Sequence, residues 1–117
     1  MAEEEEGGAE EEGDGQPVHM EAERRALQLL TQAVSDATRV GLRDLVVSAQ
    51  LDMIECYLAL NRDVQASDLA YETVLTCERN GTPTEGAKAQ VFAGLAQARM
   101  GNVERAAASL RASTPPK

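Results

Sequence analysis

Three side chains in this 117-residue sequence have the chemistry for metal binding or thiol reactions, namely His19, Cys56 and Cys77. A metal site needs several nitrogen, sulfur or oxygen ligands that converge on one point. One histidine and two widely separated cysteines do not supply such a set. We therefore expect no metal and no cofactor, and we interpret His19 as a solvated residue in the first turn of a helix.

The two cysteines fall on two predicted helices that are joined by a turn near Arg62. In an antiparallel hairpin Cys56 lies opposite residue 68, which leaves Cys77 about nine residues, or roughly 13 Å, further along. A disulfide requires Cα atoms within about 7 Å. We expect both cysteines to be small core residues, and two free thiols are typical of a reducing compartment.

No other pattern in the sequence predicts catalysis. Neither GxGxxG nor GxxxxGK[ST] occurs, because the glycines fall at helix junctions, at Gly94 and in the first 15 residues. Acidic and basic pairs such as Glu21 and Arg25 have the i, i+4 spacing of solvent-exposed helix faces. We expect a protein that is not an enzyme.

Charge is distributed unevenly along the chain. Residues 1–15 hold eight of the 20 acidic residues and none of the 11 Lys and Arg, and the net charge of the whole chain is −9. We expect 1–15 to be a disordered acidic tail, 16–113 to be one folded domain and 114–117 to be a disordered C-terminus.

The charge and hydropathy patterns also exclude classes of partner. A nearly neutral domain with an acidic tail has no basic face for phosphates, so we expect no nucleic-acid binding. The apolar runs are far shorter than the ~20 residues of a membrane span, so we expect no membrane insertion. No secretory signal is visible, and we expect a cytoplasmic protein, with the nucleus as the alternative.

The elements that must position any site follow from a 40-residue repeat. Ala26, Ala66 and Ala106 are spaced by 40 residues, and so are Gly41 and Gly81. Each unit contains apolar residues at i, i+3, i+4 and i+7, which predicts amphipathic helices. The predicted helices cover about 19–39, 42–60, 64–80, 83–100 and 103–112.

Turn and capping residues separate these helices. Asn61 or Asp63 is predicted to cap the third helix, and Gly81 to end it in the left-handed conformation. Thr82, Pro83 and Glu85 have the spacing of an N-cap, a first helical proline and a capping box. The sequence therefore predicts an all-α fold, a short α-solenoid of antiparallel helical hairpins with about five helices.

The spacing of Gly94, Gly101, Asn102, Ala106 and Leu110 resembles the tetratricopeptide repeat (TPR). Ile54, Tyr57, Asn61, Ala66 and Ala70 follow the same motif more loosely. The resemblance covers about residues 21–113. It departs from the family in its 40-residue period and in having Gln50 and Gln90 where the family has a bulky aromatic residue, so a helical array of another family stays an alternative.

The resemblance implies a non-enzymatic module that binds a peptide or helix of a protein partner in a concave groove lined by the first helix of each hairpin. Carried onto this sequence, the groove residues are Ser48, Leu51, Glu55, Leu58 and Ala59 on the second helix and Lys88, Val91, Leu95 and Arg99 on the fourth. The apolar ones have an equally good interpretation as packing residues between neighbouring units.

Two interpretations of function follow. The first is an adaptor, or a subunit of a larger complex, whose groove or exposed end helix is covered by a partner or by a second copy in a homodimer. The alternative is a regulatory or inhibitory protein whose acidic N-terminal tail contacts a basic partner.

Overall fold

A computed structural model describes residues 18–114, and this part of the chain folds into five α-helices without a strand. The predicted all-α class is therefore confirmed, whereas the predicted tail 1–15 and residues 115–117 lie outside the described residues. The helices are α1 (Val18–Val40), α2 (Arg43–Ala59), α3 (Asp63–Asn80), α4 (Pro83–Arg99) and α5 (Val103–Ala112).

The helices pack mainly in the order of the sequence. Each helix lies against the next one along the chain, and α2 also packs on α4. Because each connection is a turn of two or three residues, consecutive helices must run antiparallel. The α3 helix lies against both α2 and α4, which also contact each other.

The core lies where α2, α3 and α4 meet. Ile54 is fully buried, as are Ala66, Ala70, Ala89 and Ala93. Helix α2 is buried on two sides, as its sequence predicts, with Val47, Leu51, Ile54 and Leu58 all in the main cluster. Small residues on α3 and α4 allow the three helices to approach closely around these larger side chains.

The turns repeat with the same 40-residue spacing. Gly41 and Gly81 have φ of 81° and 71°, and Asn61 and Gly101 have φ of 60° and 84°. A left-handed conformation is strained for most side chains, but glycine and, to a lesser degree, asparagine adopt it readily. The turns at Gly41 and Gly81 therefore alternate along the chain with the turns at Asn61 and Gly101.

The N-cap position of α4 is predicted correctly, whereas the side-chain caps predicted at α3 and α4 do not form. Thr82 precedes α4 and Pro83 takes the first helical position, but no side chain caps the helix. The Thr82 hydroxyl donates instead to the Cys77 carbonyl at 3.4 Å. At α3 the capping position belongs to Arg62, and Asp63 is already helical. The Asp63 carboxylate turns towards Arg99 of α4, which lies 3.2 Å away.

Helix α5 crosses α4 at Gly94. A Cβ atom on Gly94 would lie 2.9 Å from Leu110 Cγ and 3.2 Å from the Ala106 carbonyl oxygen. Glycine is therefore the residue that fits where α4 and α5 cross. The sequence predicts short side chains where the helices cross, and Ala106 is also buried.

Candidate functional site

The exposed side of α2 is an acidic stripe with one large apolar residue. Leu45, Ser48, Asp52, Glu55 and Ala59 recur at i, i+3 or i+4, and all five are exposed. This spacing places them on one side of the helix. Between Asp44 and Ala59 the helix contains no basic residue.

The exposed side of α4 is more apolar. Lys88, Val91, Leu95 and Ala98 follow the same helical spacing and are exposed. Val91 and Leu95 are 44% and 45% accessible to solvent, which is high for branched aliphatic side chains on a helix that packs on α2, α3 and α5. We call the two stripes together the α2–α4 face; it comprises Leu45, Ser48, Asp52, Glu55, Ala59, Lys88, Val91, Leu95 and Ala98.

Two of the residues expected from the TPR resemblance are not on this face. Leu51 and Leu58 are only 7% exposed and belong to the core cluster. They pack in the core, which is the alternative interpretation that the sequence allows for the apolar groove residues. The exposed positions on α2 are the next residues along, Asp52 and Ala59, because one residue rotates a helix by about 100°. Asp52 and Leu45 carry no repeat signal that could have identified them.

Arg99 is held within the chain. Its guanidinium donates to the Asn61 side-chain oxygen at 2.6 Å and lies 3.2 Å from an Asp63 carboxylate oxygen. It thereby connects the end of α4 to the turn between α2 and α3. The other expected site residues are exposed on the α2–α4 face, namely Ser48, Glu55, Ala59, Lys88, Val91 and Leu95.

Comparison of positions 40 residues apart reveals an asymmetry between the two hairpins. Leu51 and Leu58 correspond to Val91 and Ala98. The first pair is buried, whereas the second pair is exposed. Helix α2 has α4 packed against it, and among the described residues no later helix takes that place on α4.

Polar side chains connect the helices beneath this face. Buried Gln97 donates to the Ser67 hydroxyl at 2.8 Å and accepts from the Asn102 amide at 2.8 Å. Tyr71 and Ser109 share a hydrogen bond of 2.9 Å between α3 and α5. Buried polar groups that are satisfied in this way fix the register of packed helices.

The two cysteines are free and buried, as the hairpin geometry predicts. Burial raises the pKa of the Cys56 thiol, and the nearby carboxylates of Glu23, Asp52 and Glu55 raise it further. A thiol in this environment stays protonated and is a poor nucleophile at neutral pH.

Other chemistry has little support in the described part of the chain. Residues 18–114 contain no group of three or more His, Cys, Asp or Glu side chains placed to hold a metal ion. Within the same residues, no helix combines the length and apolar character needed to cross a membrane. His19 is the second residue of α1.

Comparison with known proteins gives no family. No protein-family model matches the chain, and neither the curated proteins nor the solved structures contain a match.

Proposed function

We propose that this protein is a non-enzymatic interaction module that binds an amphipathic helix or peptide of a protein partner across the α2–α4 face. One observation carries the proposal: the exposed Val91 and Leu95 lie on α4, which packs on α2, and the exposed stripe of α2 from Leu45 to Ala59 carries the carboxylates of Asp52 and Glu55. The TPR-like array remains a hypothesis, supported by the order in which the helices pack.

The chemistry of the face specifies the partner. Burial of branched aliphatic side chains gives about 25 cal/mol per Å² of apolar surface removed from water, so Val91 and Leu95 are suited to a partner's apolar stripe. The carboxylates on α2 favour lysine or arginine along one edge of the partner and disfavour acidic residues there. The expected ligand is therefore a basic amphipathic helix.

A defined peptide tests this proposal. A fluorescent 18-residue helix of leucine and lysine, with its leucines on one side, is titrated against the full chain and followed by fluorescence anisotropy. We expect Leu95→Asp to weaken binding about tenfold, since one buried aliphatic side chain contributes about 1.5 kcal/mol or more.

Leu29→Asp is the matched control. Leu29 is 67% exposed on α1, away from the α2–α4 face, and its replacement adds the same charge. Equal weakening by both variants would mean that the loss does not come from this face, and tighter binding by both would mean that binding follows net charge. A peptide of leucine and glutamate should bind more weakly than the lysine peptide, and the reverse order would refute the role given to Asp52 and Glu55.

The alternative function assigns binding to the N-terminal segment. It is favoured by the eight acidic residues in 1–15, which dominate the net charge of −9. Deletion of residues 1–15 distinguishes the two proposals at low salt. Loss of binding on deletion, together with an unchanged affinity of Leu95→Asp, would support a regulatory protein that uses its acidic tail.

A further inference from the structure

An open cleft lies at the end of the molecule opposite the turns at Asn61 and Gly101. It has a volume of about 680 Å³ and separates the end of α3, the start of α4 and the end of α5. Its wall includes Val74, Cys77 and Glu78 of α3 and Ala87 and Gln90 of α4. It does not include the α2–α4 face, so it is a second surface.

The hairpin of α2 and α3 shows what occupies the position that corresponds to the cleft. There α3 runs alongside α2, and the buried Thr73 hydroxyl lies 3.4 Å from the Gln50 side-chain oxygen, to which it donates. The residues 40 positions later are Ser113 and Gln90. Both line the cleft instead of being covered by helix.

The difference arises from the length of α5. Helix α3 has 18 residues and α5 has 10, so α5 is shorter by eight residues, or about 12 Å at 1.5 Å per residue. Within residues 18–114, the two turns of helix that cover the start of α2 have no counterpart over the start of α4. Thr114, the residue before Pro115, is also disfavoured in the helical conformation.

We propose that this cleft is a binding site for a helix of a partner protein, which supplies the two turns that α5 lacks. The partner helix presents a hydroxyl residue to Gln90, as Thr73 of α3 presents one to Gln50. Among the described residues of the cleft wall Glu78 is the charged one, so the partner carries a basic side chain beside it.

The probe is a synthetic peptide with the sequence of residues 69–80, made helical by a side-chain lactam between the positions of Leu75 and Arg79, which are exposed in α3. It keeps the threonine and valine, has alanine for the cysteine, and carries lysines in place of its two glutamates. Binding of the labelled peptide to the full chain is measured by fluorescence anisotropy. We expect saturable binding, about tenfold weaker for a peptide with aspartate in place of the threonine.

Variants of the protein locate the binding. Ala87→Trp fills the cleft and should weaken binding at least tenfold, whereas Ala108→Trp places the same side chain on the exposed side of α5 and should leave the affinity within twofold. Glu78→Lys should weaken binding, and Glu72→Lys, an exposed change outside the cleft wall, should do so less. Circular dichroism checks that each variant is folded.

A graft of the α3 sequence onto the protein itself tests the same contact without depending on the affinity of a free peptide. Residues 73–80 are grafted after Ala112 in place of 113–117, and the melting temperature should rise by several degrees, with the rise abolished by Ala87→Trp. The proposal is overturned by absence of saturable binding together with an unchanged melting temperature of the graft. It is also overturned by equal effects of Ala87→Trp and Ala108→Trp, or by sedimentation showing that a second copy of the chain blocks the cleft.

Discussion

Replacement of Gly94 by alanine tests the crossing of α4 and α5. In an isolated helix the change is favourable, because alanine is a better helix former than glycine by about 0.8–1.0 kcal/mol. In this protein the new methyl group lies 2.9 Å from Leu110 Cγ, 3.0 Å from Leu110 Cδ2 and 3.2 Å from the Ala106 carbonyl oxygen. Carbon atoms in contact prefer separations of about 3.5–4.0 Å, so the two helices must move apart.

The size of the stability change follows from the balance between helix propensity and overpacking. Overpacking of a well-packed position costs about 1–3 kcal/mol, and the Leu110 side chain, which is 46% exposed, can relieve only part of the conflict. The Ala106 carbonyl is backbone and moves only with α5. Subtracting the helix-propensity gain leaves a net destabilisation of about 1 kcal/mol for Gly94→Ala.

Gly86→Ala is the matched control in the same helix. A Cβ atom there lies 3.3 Å from Cys77 Cβ and meets no backbone atom within 4 Å outside its own helix. A shift of a few tenths of an ångström relieves this contact. We expect Gly86→Ala to leave stability unchanged or to raise it by up to about 0.5 kcal/mol.

Urea unfolding followed by circular dichroism measures both changes, and hydrogen exchange shows where the structure opens. The Gly94→Ala variant should show faster exchange in α5 than in α2. If Gly94→Ala is more stable than the wild type by the full helix-propensity difference, α5 does not cross α4 at Gly94 and the packing described above is incorrect.

Three further predictions concern the core, the polar network and the buried thiol. Ile54→Ala should destabilise the fold by about 2–5 kcal/mol in urea unfolding, because Ile54 is fully buried, whereas Leu29→Ala should change stability by less than about 0.5 kcal/mol. Gln97→Leu should cost about 1–3 kcal/mol by leaving Ser67 and Asn102 without their partner, and an equal cost for exposed Gln65→Leu would contradict this reason. The rate of Cys56 alkylation, measured by mass spectrometry in Cys77→Ala, should rise at a higher pH than that of free cysteine. Because the pKa of the folded thiol is raised, the protonated Cys56 thiol stabilises the fold fully below the ordinary thiol pKa of about 8.5, and this contribution is lost as pH rises above it. A stability of the protein that increases over this pH range would contradict the raised pKa.

The helices follow almost entirely from local sequence patterns. Helix α5 has the predicted bounds, and α3 ends at the predicted residue but begins at Asp63, which the sequence places in the turn. Turn residues determine these ends directly, since Gly81 and Gly101 have the left-handed φ that terminates a helix.

The α2–α4 face can be predicted from the sequence less completely than the helices, because it depends on contacts between helices. Leu51 and Asp52 are neighbours on α2, and whichever of them faces α4 is set by the rotation of the helix in the packed molecule. Helix α2 is apolar on more than one side, so its periodicity does not select the rotation. The absence of a side-chain cap at Thr82 has a similar origin, because its hydroxyl meets the Cys77 carbonyl of the preceding helix.

The order in which the helices pack has a consequence for folding kinetics. Contacts between consecutive helices join residues that are close in sequence, and the α2–α4 contact is the most distant helix pairing in the described chain. Such a low contact order is typical of chains that fold in microseconds to milliseconds. Each hairpin can form early, and opening can begin at a terminal helix while the central hairpin stays closed. A partner that covers the start of α4 would therefore slow this terminal opening as well as bind.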